Sequence, residues 1–189
     1  MRVSGGENKG RRLKAPTHIG LRPTSDKVKE ALLSIMSGRV RGASWLDLFA
    51  GTGAVGVEAL SRGAERVVFV DSSPQAEKLI RENVGLIGAG GSTTVVIKGV
   101  LAFIKQRAVE LGPYDVVFLD PPYHEGIGPE TMEALGRDSI AEALPEGSVV
   151  VYERHGKYET EESYGRLRLR REYKYGDTVL CVYDVVERG

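Results

Sequence analysis

A strand signal and a candidate reactive group meet in one stretch of the chain, Tyr114-Asp115-Val116-Val117-Phe118-Leu119-Asp120-Pro121-Pro122-Tyr123. Its apolar part is rich in β-branched residues, which is typical of a strand buried on both faces of a parallel sheet. Proline cannot donate a hydrogen bond to a neighbouring strand, so we expect the strand to end at Asp120. Ligands of open α/β sheets bind outside the carboxyl ends of the strands, so the last four residues are predicted to lie at a binding site.

These four residues suit alkyl transfer to a flat, conjugated amine. The exocyclic amine of a nucleobase is a poor nucleophile because its lone pair is delocalised into the ring. The carboxylate of Asp120 and the carbonyl of Pro121 would accept its two N–H groups and turn the lone pair out of the ring plane, while Pro122 stiffens the backbone. Tyr123 would stack on the base. The motif alone is equally compatible with a simple turn that ends a strand.

A glycine-rich loop occurs earlier, in Trp45-Leu46-Asp47-Leu48-Phe49-Ala50-Gly51-Thr52-Gly53-Ala54-Val55-Gly56. The spacing of its three glycines matches the dinucleotide-binding pattern, and Asp71 follows about twenty residues later, where an acid that binds ribose hydroxyls belongs. Asp47 lies inside the predicted strand, where a dinucleotide fold normally has an apolar residue. A carboxylate there favours a ligand with a cationic amino group and no pyrophosphate, such as S-adenosylmethionine. An NAD-dependent oxidoreductase and a tight turn without a ligand are also compatible with the loop.

The order of the apolar segments predicts an α/β fold with a parallel sheet. Ser73 and Pro74 are typical of a helix start, as cap and first helical residue. After Arg154 the helical pattern stops, and two segments of alternating polarity predict a carboxy-terminal β-hairpin. Strands are predicted near 44–49, 66–71, 93–98, 114–120, 148–153, 164–174 and 178–186, and helices at 54–62, 74–87, 100–110 and 129–143.

The amino-terminal region predicts a weak β-hairpin within residues 1–14, followed by a helix that begins after Thr24 or Ser25. Residues 1–41 carry ten Lys or Arg and three Asp or Glu, whereas residues 42–153 carry eight and sixteen. This uneven charge indicates a local surface for a polyanion, although a solvated run of charges explains it equally well.

The composition, with 41% hydrophobic and 28% charged residues, is ordinary for a globular protein. The sequence has no apolar run that predicts a membrane span, so we expect a cytoplasmic protein. Cys181 is the single cysteine and the three histidines are scattered, so neither a disulfide nor a metal site is expected. We expect one monomeric domain, with a basic extension over residues 1–22 and a catalytic core over residues 23–189.

With both motifs in hand, the chain resembles the bacterial small-subunit ribosomal RNA guanine-N2 methyltransferases (the RsmD type) of the class I methyltransferase superfamily. The glycine loop is shared by the whole superfamily, whereas Asp-Pro-Pro-Tyr is typical of amino methylation. The resemblance covers nearly the whole chain. Its segments are the basic hairpin, Arg22-Pro23-Thr24 with the helix running to Glu30-Ala31-Leu32, the loop from Asp47 to Gly53, Asp120 to Tyr123, and Tyr175-Gly176-Asp177-Thr178.

The resemblance implies a Rossmann-like, seven-stranded, mostly parallel sheet with helices on both faces. It also implies S-adenosylmethionine as cofactor and a guanine of small-subunit ribosomal RNA, free or in an assembling subunit, as substrate. The implied catalytic residues are Asp120, Pro121, Pro122 and Tyr123. The implied cofactor contacts are Asp47, Phe49, Gly51, Gly53, Asp71, Ser72, Gly99 and Val100, and the implied RNA contacts are Arg11, Arg12, Lys14, Arg22 and Thr24.

One position departs from the family. The family usually has Asp or Asn after the third strand, where the side chain binds the adenine amine of the cofactor, and this chain has Gly99. We expect the adenine to rest on backbone or apolar contacts and the cofactor to bind more weakly. A DNA adenine methyltransferase, a protein glutamine methyltransferase and a non-catalytic RNA-binding module are also compatible with these motifs.

Overall fold

A computed structural model describes residues 1–15, 25–122 and 126–187, and these form an α/β fold around one sheet. Tyr123, Arg22 and Thr24 lie outside the described residues. The strands are β1 (Ser44–Leu48), β2 (Arg66–Asp71), β3 (Thr93–Ile97), β4 (Val116–Leu119), β5 (Val149–His155), β6 (Ser163–Tyr164), β7 (Leu167–Tyr175) and β8 (Thr178–Val185). The helices are α1 (Asp26–Ile35), α2 (Ala54–Ser61), α3 (Pro74–Leu86), α4 (Val100–Gln106), α5 (Ala108–Leu111) and α6 (Ile127–Leu135).

The sheet has the order β3-β2-β1-β4-β5-β8-β7-β6. Strands β1 to β5 run parallel, and β8, β7 and β6 add antiparallel at one edge. The predicted fold class is therefore confirmed, with its parallel core and its carboxy-terminal hairpin. The seven expected strands are all present. The eighth strand, β6, has only two residues, which is too short to show the alternation of polarity by which a strand is predicted.

Helices cover both faces of the sheet, as predicted. Residues of α1, α2 and α3 pack with the amino-terminal segment in one core cluster, which we call the arm face. Residues of α4, α5 and α6 pack in a second cluster on the opposite face. The order β2-β1-β4 reverses the direction of winding between β1 and β4, and the carboxyl ends of such strands form the binding crevice of open α/β sheets.

The capping residues start the helices where the sequence indicates. Ser25 caps α1, its Oγ accepting a hydrogen bond from the Val28 N–H at 3.2 Å. Ser73 caps α3 in the same way through the Gln75 N–H at 3.2 Å, with Pro74 as the first helical residue. No helix in the described ranges is both long enough and apolar enough to cross a membrane.

Two predicted helices are wrong in extent. The helix expected over 129–143 ends at Leu135, because Gly136 lies directly against another segment of chain, where a Cβ would stand 1.9 Å from the carbonyl oxygen of Tyr164. A short 3₁₀ turn at 138–140 follows. The helix expected over 100–110 is broken at Arg107, whose φ of −131° is not helical.

The amino-terminal hairpin is present but small. Arg2 and Arg12 form one antiparallel bridge, flanked by a hydrogen bond from the Val3 N–H to the Arg11 carbonyl at 3.0 Å. Such a short hairpin is marginal alone and needs contacts with a core. The core supplies them through Glu58 of α2, which is fully buried and accepts hydrogen bonds from the N–H groups of Ser4 and Gly5 at 2.8 and 2.7 Å.

Candidate active site

The glycine loop after β1 turns sharply towards α2. Three residues have left-handed backbone angles: Phe49 with φ of 58°, Gly51 with 55° and Gly53 with 72°. Among the described residues, Phe49 is the only non-glycine residue with a positive φ. Such strained backbone positions cluster at functional sites. A Cβ on Gly53 would meet Ile80 at 3.0 Å, and one on Gly56 would meet the Phe69 ring at 2.3 Å. These two glycines therefore let the loop and α2 pack closely on the sheet.

Gly51 is open on the side where a Cβ would project, because its nearest heavy atom there is the Phe49 carbonyl oxygen at 3.9 Å. Its N–H group donates to one carboxylate oxygen of Asp71 at 2.8 Å, and the Ser73 N–H donates to the other at 2.8 Å. These contacts fix the Asp71 carboxylate at the carboxyl end of β2. A carboxylate has about four acceptor positions, so Asp71 retains capacity for the hydroxyls of a ligand. The neighbouring Ser72 is exposed.

Asp47 lies beneath the loop and is 2% exposed. Its Oδ2 accepts a hydrogen bond from the Gly56 N–H, in the first turn of α2, at 3.0 Å. Burial raises the pKa of Asp47 well above 3.8, the hydrogen bond from Gly56 lowers it, and the nearby charges of Asp120 and Asp71 raise it further. The hydrogen bond of Asp47 is thus with the first turn of α2, directly after the glycine loop.

Three carboxylates therefore meet at the ends of neighbouring strands. Asp47 of β1 lies beside Phe69 of β2 and Phe118 of β4, and Asp120 follows β4 directly. Each negative charge makes the others less favourable, which is why Asp120 raises the pKa of Asp47. A cationic ligand relieves this repulsion. S-adenosylmethionine, which carries a sulfonium and an ammonium group, fits the charge of this site better than NAD, whose pyrophosphate is negative.

A cavity of about 310 Å³ lies beside Pro121 and Pro122. Its size is at the lower end of the range of about 300–1,000 Å³ for small-molecule sites. Pro121 is buried and Pro122 is exposed. The other lining residues are Gly126, Gly128, Pro129, Tyr152, Arg154, Tyr158 and Glu159.

Tyr152 lines this cavity and lies opposite Leu119, one residue before Asp120. A Cβ on Gly128 would stand 2.3 Å from the Tyr152 hydroxyl oxygen, so glycine is needed there. Burial raises the pKa of Tyr152 to about 12, and the charge of Asp120 raises it as well. The hydroxyl is therefore protonated near neutral pH and able to donate a hydrogen bond.

Gly99 and Val100 begin α4 at the carboxyl end of β3. Gly99 is exposed, and a Cβ there would meet no heavy atom within 4 Å. Val100 is 5% exposed and belongs to the core. Neither residue offers a side-chain acceptor to an adenine amine, but the space that an Asn or Asp would occupy is open.

The three hairpin residues expected to contact RNA, Arg11, Arg12 and Lys14, are all exposed. Asn83 of α3, which is fully buried, ties the return strand of the hairpin to the glycine loop. Its amide accepts a hydrogen bond from the Lys14 N–H at 2.7 Å and donates to the Thr52 carbonyl at 2.9 Å. The basic hairpin is thus held beside the loop that precedes α2.

Sequence reasoning did not identify Glu58, Asn83 or Tyr152. Glu58 stands four residues before Arg62, a pair that a helix brings together, and this pattern marks it as a candidate for an ion pair. The partners of Asn83 and the cavity beside Tyr152 depend on contacts between distant segments, for which the sequence carries no local signal. In the described parts of the chain, no group of three or more His, Cys, Asp or Glu is arranged to hold a metal ion.

Comparison with known families gives a match along almost the whole chain. The model of the family described as Conserved hypothetical protein 95 matches residues 1–184. The chain belongs to this family.

Relatives of this member of the Conserved hypothetical protein 95 family include several proteins named as methyltransferases. The chain is 36% identical to Ribosomal RNA small subunit methyltransferase D of Escherichia coli over 135 residues, which cover 71% of this chain and 66% of that protein. It is 34% identical to the Bacillus subtilis protein YlbH over 184 residues, covering 97% of this chain and 98% of that protein.

Solved structures share the fold of this chain. A hypothetical protein of Thermus thermophilus matches with a TM-score of 0.82 and 28% identity, over 98% of this chain and 99% of that chain. An RNA methyltransferase of Salinibacter ruber, in complex with S-adenosylhomocysteine, matches the fold with a TM-score of 0.65 and 20% identity, over 88% and 95%. The predicted family and the class I methyltransferase fold are confirmed.

Proposed function

We propose that this protein transfers a methyl group from S-adenosylmethionine to the exocyclic N2 amine of a guanine in small-subunit ribosomal RNA. The observation that carries the proposal is the position of Asp120. It follows β4, the strand adjacent to β1, and its charge acts on Asp47 beneath the glycine loop. A cofactor on the loop and an amine held at Asp120 therefore lie next to each other. Relatives from Escherichia coli and Haemophilus influenzae carry names that specify small-subunit ribosomal RNA.

S-adenosylmethionine supplies a methyl group activated by its sulfonium, and transfer of that group leaves S-adenosylhomocysteine. The protein's part is to place the cofactor and the amine. Asp71, fixed by the N–H groups of Gly51 and Ser73, binds the ribose hydroxyls. Asp47 contributes negative charge below the loop, while Phe49 and Gly53 set the sharp turn around which the cofactor lies.

The amine is held by the tetrad of residues 120–123. Asp120 and the carbonyl of Pro121 accept its two N–H groups, which withdraws the lone pair from the ring and directs it at the methyl carbon. As the new N–C bond forms, the amine gains positive charge, which the Asp120 carboxylate stabilises before one proton leaves to solvent. Tyr123, outside the described residues, is proposed to stack on the base. The cavity beside Pro121 and Tyr152 receives the rest of the ring.

A base inside a helix does not reach this point. The target is therefore a nucleotide in a loop or at a bulge, where leaving the stack costs least. The exposed Arg11, Arg12 and Lys14 bind RNA phosphates around it, and Arg22 and Thr24, outside the described residues, are proposed to join them. Glu58 and Asn83 hold the backbone of the hairpin on the core, which limits how far Arg11, Arg12 and Lys14 can move relative to Asp120.

The test is the variant Asp120→Ala. Turnover should fall by about 10²–10³-fold, the size of effect seen when one transition-state contact of this kind is lost. S-adenosylmethionine affinity, measured by calorimetry, should change by less than about tenfold, because Asp120 affects the cofactor only through its charge. Asp120→Asn should keep part of the activity, since an amide oxygen accepts one hydrogen bond. Glu130→Gln, at an exposed acid of α6, is the control. Normal turnover by Asp120→Ala would refute the proposal.

A further inference from the structure

The outer β7–β8 hairpin ends beside the candidate active site. Its turn, at Gly176 and Asp177, lies at the carboxyl end of β5, because Thr178 pairs with His155. The Gly156 N–H donates to the Asp177 carbonyl at 2.7 Å. The next residues after this contact include Tyr158 and Glu159, which line the cavity proposed for the base. The turn is therefore joined to one wall of that cavity.

Alternate residues of β7 place Arg171, Tyr173 and Tyr175 on one face of the strand, and we call these three residues the tyrosine stripe. Both tyrosines are half-buried and pack against the cluster of the arm face. Arg171 is exposed, and its guanidinium lies 5.1 Å from the centre of the Tyr173 ring. β6 pairs only with residues 167 and 168 of β7, so the stripe lies along an edge with no further described strand.

One arginine of this hairpin and one of its neighbour β5 form ion pairs, whereas Arg168 and Arg171 have no acidic partner among the described residues. Arg168 donates instead to the backbone carbonyls of Gly165 and Leu167. Arg170 forms an ion pair with Asp184, and Arg154 forms one with Glu172 at 2.6 Å. Arg171 has no acidic partner in the part of the chain that the structure describes, and its contact is the aromatic ring. An exposed, unpaired guanidinium beside half-exposed tyrosines is the combination that binds single-stranded nucleic acid: the cation takes a phosphate and the rings stack on bases.

The tyrosine stripe also lies on the same sheet face as the basic amino-terminal hairpin. Val3 and Leu13 of that hairpin belong to the cluster against which Tyr173 and Tyr175 pack. Cations thus lie at two places on one face, both near the edge of the sheet that carries the tetrad. The cavity residue Tyr152 belongs to the cluster of the opposite face, so RNA that contacts both the cavity and these cations has to pass over the carboxyl edge of the sheet.

We propose that the tyrosine stripe is a second RNA-contact surface, which binds the unpaired nucleotides next to the target base. The inference rests on the proposed function, since it assumes an RNA substrate. It adds a surface that Arg11, Arg12 and Lys14 do not account for. It also assigns a role to the Tyr175-Gly176-Asp177-Thr178 turn, which fixes the stripe relative to the cavity wall.

The test measures the affinity of a labelled RNA hairpin, with an unpaired guanine in its loop, over a range of salt concentrations. Arg171→Gln should lower the slope of log affinity against log salt by about 0.7–0.9, the value for one lost phosphate contact. Tyr173→Ala should weaken RNA binding about tenfold, through lost stacking, with little change in slope. Both variants should bind S-adenosylmethionine as the unmodified protein does.

Lys105→Gln is the matched control, because it removes an exposed cation from α4 on the opposite face. If Arg171→Gln gives the same salt slope as this control, the inference is wrong even though the unmodified protein methylates RNA. Arg171→Gln changes an exposed side chain, so it remains informative if Tyr173→Ala does not fold. Equal losses on duplex DNA would overturn the assignment to unpaired RNA. Failure of the unmodified protein to bind S-adenosylmethionine would instead refute the proposed function.

Discussion

Replacing Glu58 by Gln should release the amino-terminal hairpin from the core. Oε1 of Glu58 accepts hydrogen bonds from Ser4 Oγ at 2.7 Å, the Gly5 N–H at 2.7 Å and Arg62 Nε at 3.1 Å. Oε2 accepts from the Ser4 N–H at 2.8 Å and lies 3.5 Å from Nζ of Lys29. An amide replaces one of these oxygens with an NH₂ group, which then faces donors.

The loss of unfolding free energy follows from the Lys29 charge that the substitution leaves without its buried partner. Glu58 and Lys29 are both fully buried, and breaking a buried pair by removing one charge costs about 3–5 kcal/mol. Lys29 retains its hydrogen bond to the Arg2 carbonyl at 2.6 Å, so we expect the lower part of this range. For a domain of this size, each kcal/mol lowers the melting temperature by about 2–4 °C. Glu58→Gln should therefore melt about 6–12 °C below the unmodified protein.

The assay is urea unfolding together with amide hydrogen exchange at Ser4 and Gly5, which should become fast in Glu58→Gln. Burial alone would raise the pKa of Glu58, but the hydrogen bonds from Ser4, the charge of Lys29 and the hydrogen bond from Arg62 lower it below 4.5. The contribution of Glu58 is therefore complete above pH 4.5 and is lost as the pH falls through the lowered pKa; Glu58→Gln lacks this acid-dependent loss.

Glu77→Gln is the matched control, because it breaks a similar helical pair with Arg81 that is exposed, and it should cost about 0.5 kcal/mol or less. A free-energy loss below about 1 kcal/mol in Glu58→Gln, or protected amides at Ser4 and Gly5, would show that the carboxylate does not hold the hairpin.

Three further changes test the site. In Asp47→Asn, the free energy of unfolding should depend less on pH. The raised pKa of the Asp47 carboxyl means that its contribution to stability is complete below pH 3.8 and is lost as the pH rises through the raised value. The same pH dependence of urea unfolding in the variant and the unmodified protein would contradict this. Gly99→Asn adds a side chain in open space and should strengthen S-adenosylmethionine binding by about 0.5–1.5 kcal/mol in calorimetry, whereas weaker binding would place the adenine elsewhere. Tyr152→Phe should lower kcat/KM about fivefold without loss of stability, because no other described residue bonds that hydroxyl; unchanged kinetics would remove it from the site.

The sequence predicts the parallel core well because the signals there are local. β4 is an apolar run closed by two prolines, and Ser73 with Pro74 marks the start of α3. The sharp turn between β1 and α2 is likewise indicated by a local pattern, the closely spaced Gly51 and Gly53. Local patterns do not report contacts between distant segments, which is why the end of α6 at Gly136, pressed against the Tyr164 carbonyl, differs from the prediction.

In the candidate site too, residues marked by a local pattern are predictable and residues that act through distant contacts are not. Asp120 and Asp71 are predictable because each directly follows or ends a strand, and parallel strands bring their carboxyl ends together. Asp47 also makes a contact that the sequence does not predict. Its Oδ2 accepts a hydrogen bond from the Gly56 N–H, and this contact depends on how closely α2 packs on the sheet. Glu58 and Tyr152 act through partners that only the folded chain brings near.

The most direct test of the account is the chemical identity of the methylated product. Unmethylated small ribosomal subunits are incubated with this protein and S-adenosylmethionine labelled in its methyl group, and the RNA is digested to nucleosides for mass spectrometry. The account predicts label in N2-methylguanosine, with Asp120→Ala giving none above background. Label in methyladenosine or in protein would contradict it.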